Sequence, residues 1–153
     1  AGHGQEPGRR PRLGGAALLG MVLGLEREAK NRPAGLRTFM LVSLGSAGFS
    51  VAVLSIAALY GNGIEGLQLD PIRVVEGIIG GIGFLGAGVI IQGQGEVRGI
   101  TTGATIWLAG AVGIASGFAL YELAAMLTLM GLFILVALGL GEKWMARKLN
   151  HHK

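Results

Sequence analysis

The chain has 153 residues, 51% of them hydrophobic and 14% charged, with a net charge of +4 and no cysteine. A soluble domain carries roughly 25% charged residues, so too few charges are present to cover a water-facing surface and the balance points to lipid. The lack of cysteine excludes disulfides, thiolate metal sites and cysteine nucleophiles.

Residues 1–12 read as a tail, disordered or foreign to the native chain, ahead of a first apolar run, LGGAALLGMVLGL at 13–25. That run is shorter than the roughly 20 helical residues that cross a bilayer core. Spanning requires the preceding GRRPR to reach the headgroups, or the bilayer to thin locally. A signal peptide is the competing reading, but no A-x-A site follows and the run leads directly into a charged loop; it reads as a span. The loop, GLEREAKNRPAGLRTF, mixes charges of both signs. Its ordinary role is a solvated connection, and its functional role would be a docking surface or an anchor on anionic headgroups. Glu26, at its edge, has Arg37 and Arg98 as candidate partners.

The second run, at 39–59, is long enough to span, and YGNG and LDP mark the turn after it. Asp70 before Pro71 is a helix start, with Asp as N-cap and Pro at the first helical position. Asp70 is also a candidate cation ligand, since hard cations take carboxylate oxygen. The third run, at 74–91, holds Glu76 and the glycine-rich GIIGGIGFLGAGVI at 77–90. Within it, GIGFLG matches the G-x-G-x-x-G pattern of dinucleotide-binding turns. Such a turn needs a preceding strand, and an acidic residue about 20 positions later; Ile106 stands near that place, so the nucleotide reading fails. In lipid the backbone must be helical, and small-x-x-x-small spacing marks where helices approach closely. Gly77 with Gly81, and Gly83 with Ala87, have that spacing, and the fourth run (100–120) offers Thr105, Ala109, Gly113 and Gly117 on one face. The third and fourth helices are therefore expected to form the tightly packed heart of the bundle, the alternative for the glycines being a substrate groove or a broken helix of the kind that builds transporter sites. Glu76 shares a face with Gly80, Gly83 and Ala87 and is expected to point into the bundle, as a functional carboxylate or as an interfacial partner of Arg73.

The fourth run opens at VRGITTGATIW, with Arg98 at its mouth and Thr101 or Thr102 available to cap it. Trp107 lies too deep for an aromatic belt and reads as a packed indole whose N–H needs a partner. A fifth run, at 123–140, leads to Trp144 among basic residues, as an inner interface requires. Short connections make neighbouring helices antiparallel. The expected fold is all-α, a polytopic bundle of about five transmembrane helices. With the N-terminus outside, the inner side holds nine Lys and Arg against four outside, which favours N-out, C-in under the positive-inside rule.

The segments GLERE at 24–28, RPAGLRT at 32–38, DPIRV at 70–74, GIGFLGAGVI at 81–90 and VRGITTGATIW at 97–107 resemble, in order, the MgtC/SapB family of bacterial membrane proteins. The resemblance covers about 12–140. It implies a bacterial inner-membrane protein of about five helices with a cytoplasmic C-terminus, linked to growth in low magnesium or inside macrophages. One line of family knowledge has members restraining the membrane-embedded ATP synthase. Many members continue into a soluble ACT-like domain; the expectation here is a transmembrane domain at 13–140 and a cytoplasmic tail at 141–153 without one. The family pattern has Asn at Thr101, Cys at Leu108 and small residues at Glu76. What carries over, as motif residues, is Arg37, Arg73, the glycines Gly81, Gly83, Gly86 and Gly88, Arg98, Gly99, Thr102 and Trp107, and Glu26 joins them as a candidate.

The leading functional expectation is a non-enzymatic regulator that binds another membrane complex through its small-residue faces and basic inner loop. The alternative is a transporter of Mg²⁺ or another cation, with Asp70 and Glu76 as candidate ligands. No resident cofactor is expected, with Mg²⁺ as the candidate ion. The expected partners are the lipid bilayer, a second copy in a dimer and a membrane-protein complex, with no nucleic acid.

Overall fold

The computed structural model describes residues 8–60, 70–93 and 96–150, and their side chains except at 91–96 and 141–150. The expected turns within 61–69, the extreme ends of the chain and the interfacial setting of Trp144 lie outside what is described. Five helices follow one another: α1 (Arg9–Ala29), α2 (Leu36–Tyr60), α3 (Pro71–Gly88), α4 (Ile100–Gly117) and α5 (Tyr121–Asn150). A hairpin of β1 (Ile91–Gly93) and β2 (Glu96–Arg98) joins α3 to α4, pairing antiparallel with Ile91 opposite Arg98. The helices α2, α3, α4 and the part of α5 from Tyr121 to Leu140 are each long and apolar enough to cross a membrane. The protein is an all-α, multi-pass membrane bundle.

The first helix begins inside the expected N-terminal tail. Residues 9–12 are helical, and α1 reaches 21 residues by taking charged residues at both ends, about 31 Å at 1.5 Å per residue. Arg12 donates through Nη1 to the Gly117 carbonyl at 3.5 Å, placing a cation at the C-terminal, partially negative end of α4. At the other end of the chain, residues 141–150 continue α5 as helix.

Two helix ends share one device. After α1, Arg32 N–H bonds to Arg27 O and Asn31 N–H to Glu28 O, with Asn31 at φ 49°. After α4, Leu120 N–H bonds to Ala115 O and Ala119 N–H to Ser116 O, with Ala119 at φ 61°. Both are Schellman ends, which need a left-handed residue at the same place. Asn accepts that conformation readily, whereas Ala does so against its Cβ. Ala119→Gly is therefore expected to stabilise the protein by about 0.5–1 kcal/mol, read as a raised midpoint of thermal unfolding in detergent.

Packing is led by small residues, but not on the helices expected. A Cβ on Gly20 of α1 would stand 2.7 Å from Phe39 O, and one on Gly24 would stand 2.8 Å from the Leu36 Cα, both on α2. On α4, a Cβ at Gly117 would stand 2.8 Å from Ala47 O, and one at Gly113 would overlap the Ser43 carbonyl oxygen, again on α2. The heart of the bundle is thus α1 against α2 and α2 against α4. The α4 face with Thr105, Ala109, Gly113 and Gly117 is buried as expected, yet its glycines meet α2 rather than α3. Three hydroxyls inside this core return to their own helices, Ser46 to Val42 O at 2.8 Å, Ser50 to Ser46 O at 2.9 Å and Thr105 to Thr101 O at 2.6 Å, while those of buried Ser43 and Ser116 have no partner among the described residues. Back-bonding of this kind lets a hydroxyl sit in an apolar helix without stranding its donor.

The third helix joins this core through a narrow strip. Its buried residues are Ile78, Ile82 and Gly86. Gly86 and Gly103 meet backbone to backbone, a Cβ on Gly103 standing 2.9 Å from Gly86 O. By contrast, Gly77, Gly80, Gly81, Gly83 and Gly88 have nothing within 4 Å of where a Cβ would stand. Between α3 and α4, Gly86 meets Gly103 and Gly110 of α4 lies under the Ile82 side chain, whereas the rest of the α3 glycine run is open.

Candidate functional site

The chemistry gathers where α1 ends, beside the start of α4 and the far half of α5. Ala16, Gly20, Leu23 and Arg27 occupy one buried stripe of α1, so the helical repeat that buries Leu23 carries Arg27 inward one turn later. Arg27 is 4% exposed. Its Nη2 donates to Thr102 Oγ1 at 2.8 Å, and its Nη1 stands 3.6 Å from Glu26 Oε2. Lys30 Nζ pairs with Glu26 Oε1 and donates to the Leu135 carbonyl of α5 at 3.2 Å. Desolvation opposes the charge on Arg27, and the Glu26 carboxylate supports it. Arginine does not lose its proton in a protein, so its neighbours must hold the charge. One acid and two bases thus tie α1 to α4 and to α5.

A second contact organises the loop beside it. Glu28 Oε2 accepts from the Leu36 backbone N–H at 3.0 Å, setting a carboxylate on the unfilled N-terminus of α2, where the helix dipole favours negative charge. A Cβ on Gly35 would overlap the same Glu28 oxygen, so the glycine of RPAGL keeps the path open. Glu28→Ala, which removes the acceptor, is expected to cost about 1 kcal/mol, the worth of a helix cap, with a lowered thermal midpoint as the readout.

The expected site residues divide between this cluster and three other places. Glu26 pairs, among the described residues, with Arg27 and Lys30 of its own helix, not with Arg37, which is exposed in the first turn of α2. Thr102 is 1% exposed and serves Arg27 instead of capping α4. The N-cap of α4 is Gly99 at φ 90°, with no side-chain cap, and a Cβ there would overlap Val89 O; Gly99 lets the hairpin turn sharply into the helix. Arg98 is exposed on the hairpin at the same end.

The second place is the start of α3, at the opposite end of the bundle. Asp70 caps α3, accepting from Ile72 N–H at 2.9 Å, while Arg73 and Glu76 are exposed. Glu76 faces away from the bundle, against expectation, because the buried strip Ile78–Ile82–Gly86 turns the opposite side of the helix to the core. Asp70 and Glu76 are six residues apart, about 9 Å along the axis, so the two carboxylates do not converge on one ion.

The third place is a groove of about 690 Å³ between α2 and α3, floored by Gly45, Gly77 and Gly81 and walled by Leu41, Phe49 and Leu85. Gly83 and Gly88 are open on other sides of α3. The fourth is a smaller cleft, about 240 Å³, where Trp107 stands with Ile79 and Leu123 between α3, α4 and α5. Trp107 is 52% exposed and is not the enclosed indole expected.

The sequence reading missed Arg27, Lys30, Glu28 and Gly35. For Arg27 a signal was present: continuing the Ala16–Gly20–Leu23 spacing lands on it.

The MgtC family model matches residues 13–144. The chain belongs to the MgtC/SapB family. It is 40% identical over 140 residues to protein SapB of Bacillus subtilis, covering 91% of this chain and 58% of that one. It is 43% identical over 116 residues to protein MgtC of Brucella abortus, covering 76% of this chain and 45% of that one. A relative in Escherichia coli, YhiD, provisionally named as a magnesium transporter, is 36% identical over 124 residues, covering 78% of this chain and 55% of that one. The chain therefore spans about half the length of the curated relatives it matches. No solved structure matches it. The matched region contains the Glu26–Arg27–Lys30–Thr102 cluster, the open face of α3 and the groove beside it.

Proposed function

We propose that this MgtC/SapB protein is a non-enzymatic regulator in the bacterial inner membrane, oriented N-out and C-in, that acts in adaptation to low magnesium by binding another membrane complex. The observation that carries this reading is the groove of about 690 Å³ between α2 and α3, whose lining is almost wholly apolar and whose floor is glycine. A floor without side chains admits a helix at close range, and close backbone approach is what drives association between helices in lipid. Under this orientation the Arg27 end is cytoplasmic, and exposed Arg32 and Arg37 add a basic surface beside the mouth of the bundle. The protein works as a dimer, and the membrane-embedded ATP synthase is the candidate complex that the family resemblance suggests.

Transport of Mg²⁺ is the second reading, favoured by the name of the Escherichia coli relative. A magnesium path asks for several oxygens in near-octahedral array. Here Glu26 is engaged by two cations, Asp70 caps α3, and Glu76 stands on the outer face. Purified protein in liposomes is expected to carry no Mg²⁺ flux. Flux that Glu76→Gln abolishes would overturn the regulatory reading in favour of transport, and isolation from native membranes should recover a second membrane complex, not the protein alone.

A further inference from the structure

The outer face of α3 carries five residues in a repeating pattern: Arg73, Glu76, Gly80, Gly83 and Ala87, at successive spacings of three and four. All five are exposed, and the two glycines have open space above them. The helix has 18 residues, about 27 Å at 1.5 Å per residue, no more than the hydrocarbon thickness it has to cross. Glu76, five residues in from Pro71, therefore lies about 7.5 Å below the start of the helix and cannot stand clear of the bilayer. A charged side chain within a membrane helix is costly, less so towards the interface, and such groups face protein or water in preference to lipid. Among the described residues neither charge is met: Arg73 and Glu76 stand on the same outer face without an ion pair between them at 4 Å.

Three-four spacing is the seam on which two helices pack at a shallow left-handed angle. Two copies inserted the same way bring their α3 helices together in parallel, so each layer of the seam meets its own counterpart. The Arg73 layer then lies about 4.5 Å along the axis from the Glu76 layer, and each Arg73 reaches the partner's Glu76 while its own Glu76 receives the partner's Arg73. A patch that satisfies itself in this way is the signature of an isologous twofold interface. Below the charges, Gly80, Gly83 and Ala87 let the two backbones approach. We infer that α3 is the self-association helix of this protein, pairing with α3 of a second copy along Arg73–Glu76–Gly80–Gly83–Ala87 with reciprocal Arg73–Glu76 ion pairs.

This inference deepens the dimer named above and does not depend on the identity of the partner complex, whose helix would occupy the α2–α3 groove on another side of α3. Because the chain has no cysteine, single-cysteine scanning in liposomes containing only the purified protein tests it cleanly. Gly80→Cys, Gly83→Cys and Ala87→Cys are expected to form disulfide-linked dimers under mild oxidation, and Gly77→Cys and Ile79→Cys, on the flanks of the helix, to form few. In a fluorescence transfer titration between labelled copies, Glu76→Gln and Arg73→Gln should each weaken dimerisation about tenfold, on interhelical hydrogen bonds worth about 0.6 kcal/mol each and two of them lost per dimer. The exchanged pair Arg73→Glu with Glu76→Arg should restore it. A dimer that cross-links best at Gly77 or Ile79, or that is indifferent to both charge substitutions, overturns the seam and leaves the dimer standing. A protein that remains monomeric at every lipid ratio overturns both, and neither result bears on whether magnesium crosses the membrane.

Discussion

Gly113→Val is expected to be the most damaging single substitution in this bundle, with loss of the folded, monodisperse species in detergent. Position 113 lies where α4 passes α2, and a Cβ there would overlap the Ser43 carbonyl oxygen and stand 2.7 Å from the Ser46 Cβ. The obstacle is backbone, so no rotamer change relieves it; the two helices must separate. Separation would also disturb Gly117, packed on Ala47 and Ser50 one turn further on. Overpacking a well-packed core costs typically 1–3 kcal/mol and more where backbone must move; with two close approaches on one seam, a loss of at least about 3 kcal/mol is expected. Gly83→Val is the control. Valine there enters open space on α3, and the monomer should keep its stability to within about 0.5 kcal/mol, the usual range of surface substitutions. Equal damage at both positions would show that the contact between α2 and α4 is not what holds the fold.

The contrast between those two glycines explains how much the sequence disclosed. Spans are legible because length and apolarity are properties of a segment alone, and the start of α3 at Asp70-Pro71 is legible because capping is local. Spacing of small residues is local as well, but it records only that a helix can be approached, not by which neighbour. Gly77–Gly81 and Gly113–Gly117 have the same spacing, yet the first pair lines an open groove and the second is pressed against α2. A clue lay in α2 itself, where Ser43, Ser46, Ala47 and Ser50 place small, mostly hydroxyl-bearing residues on one face of an apolar helix and so mark where a neighbour sits. Glu76 departs from expectation for a related reason: sharing a face with glycines suggests an inward position, whereas Ile78 and Ile82 are the residues that α3 buries. The family motifs, in turn, identified the right segments without saying which side chains in them meet.

Arg27 is where that gap was widest, and its removal is the second large effect expected. The run GLERE reads as the beginning of a solvated loop, yet helix continues through Ala29 and carries Arg27 into contact with Thr102, both nearly sealed from solvent. Replacing Arg27 by Met keeps much of the volume but removes the guanidinium that joins α1 to α4. Thr102 loses the donor at 2.8 Å, and Glu26 keeps Lys30 as its one cation among the described residues. Breaking a buried charged contact by deleting one partner costs about 3–5 kcal/mol, since the remaining groups stay desolvated. Arg27→Met is therefore expected to lower stability by that amount, whereas Thr102→Val, which removes only the neutral acceptor, should cost about 1–3 kcal/mol. If the two side chains act through each other, the double variant will fall short of the sum by about 0.5–3 kcal/mol, the coupling seen for groups in contact. Additive losses, or an Arg27→Met protein as stable as the parent, would mean that α1 is held to α4 by its apolar stripe alone. A non-additive result would place the charge layer among the structural ties of the bundle, and Lys30, bonded to the Leu135 carbonyl, would extend the same tie to α5.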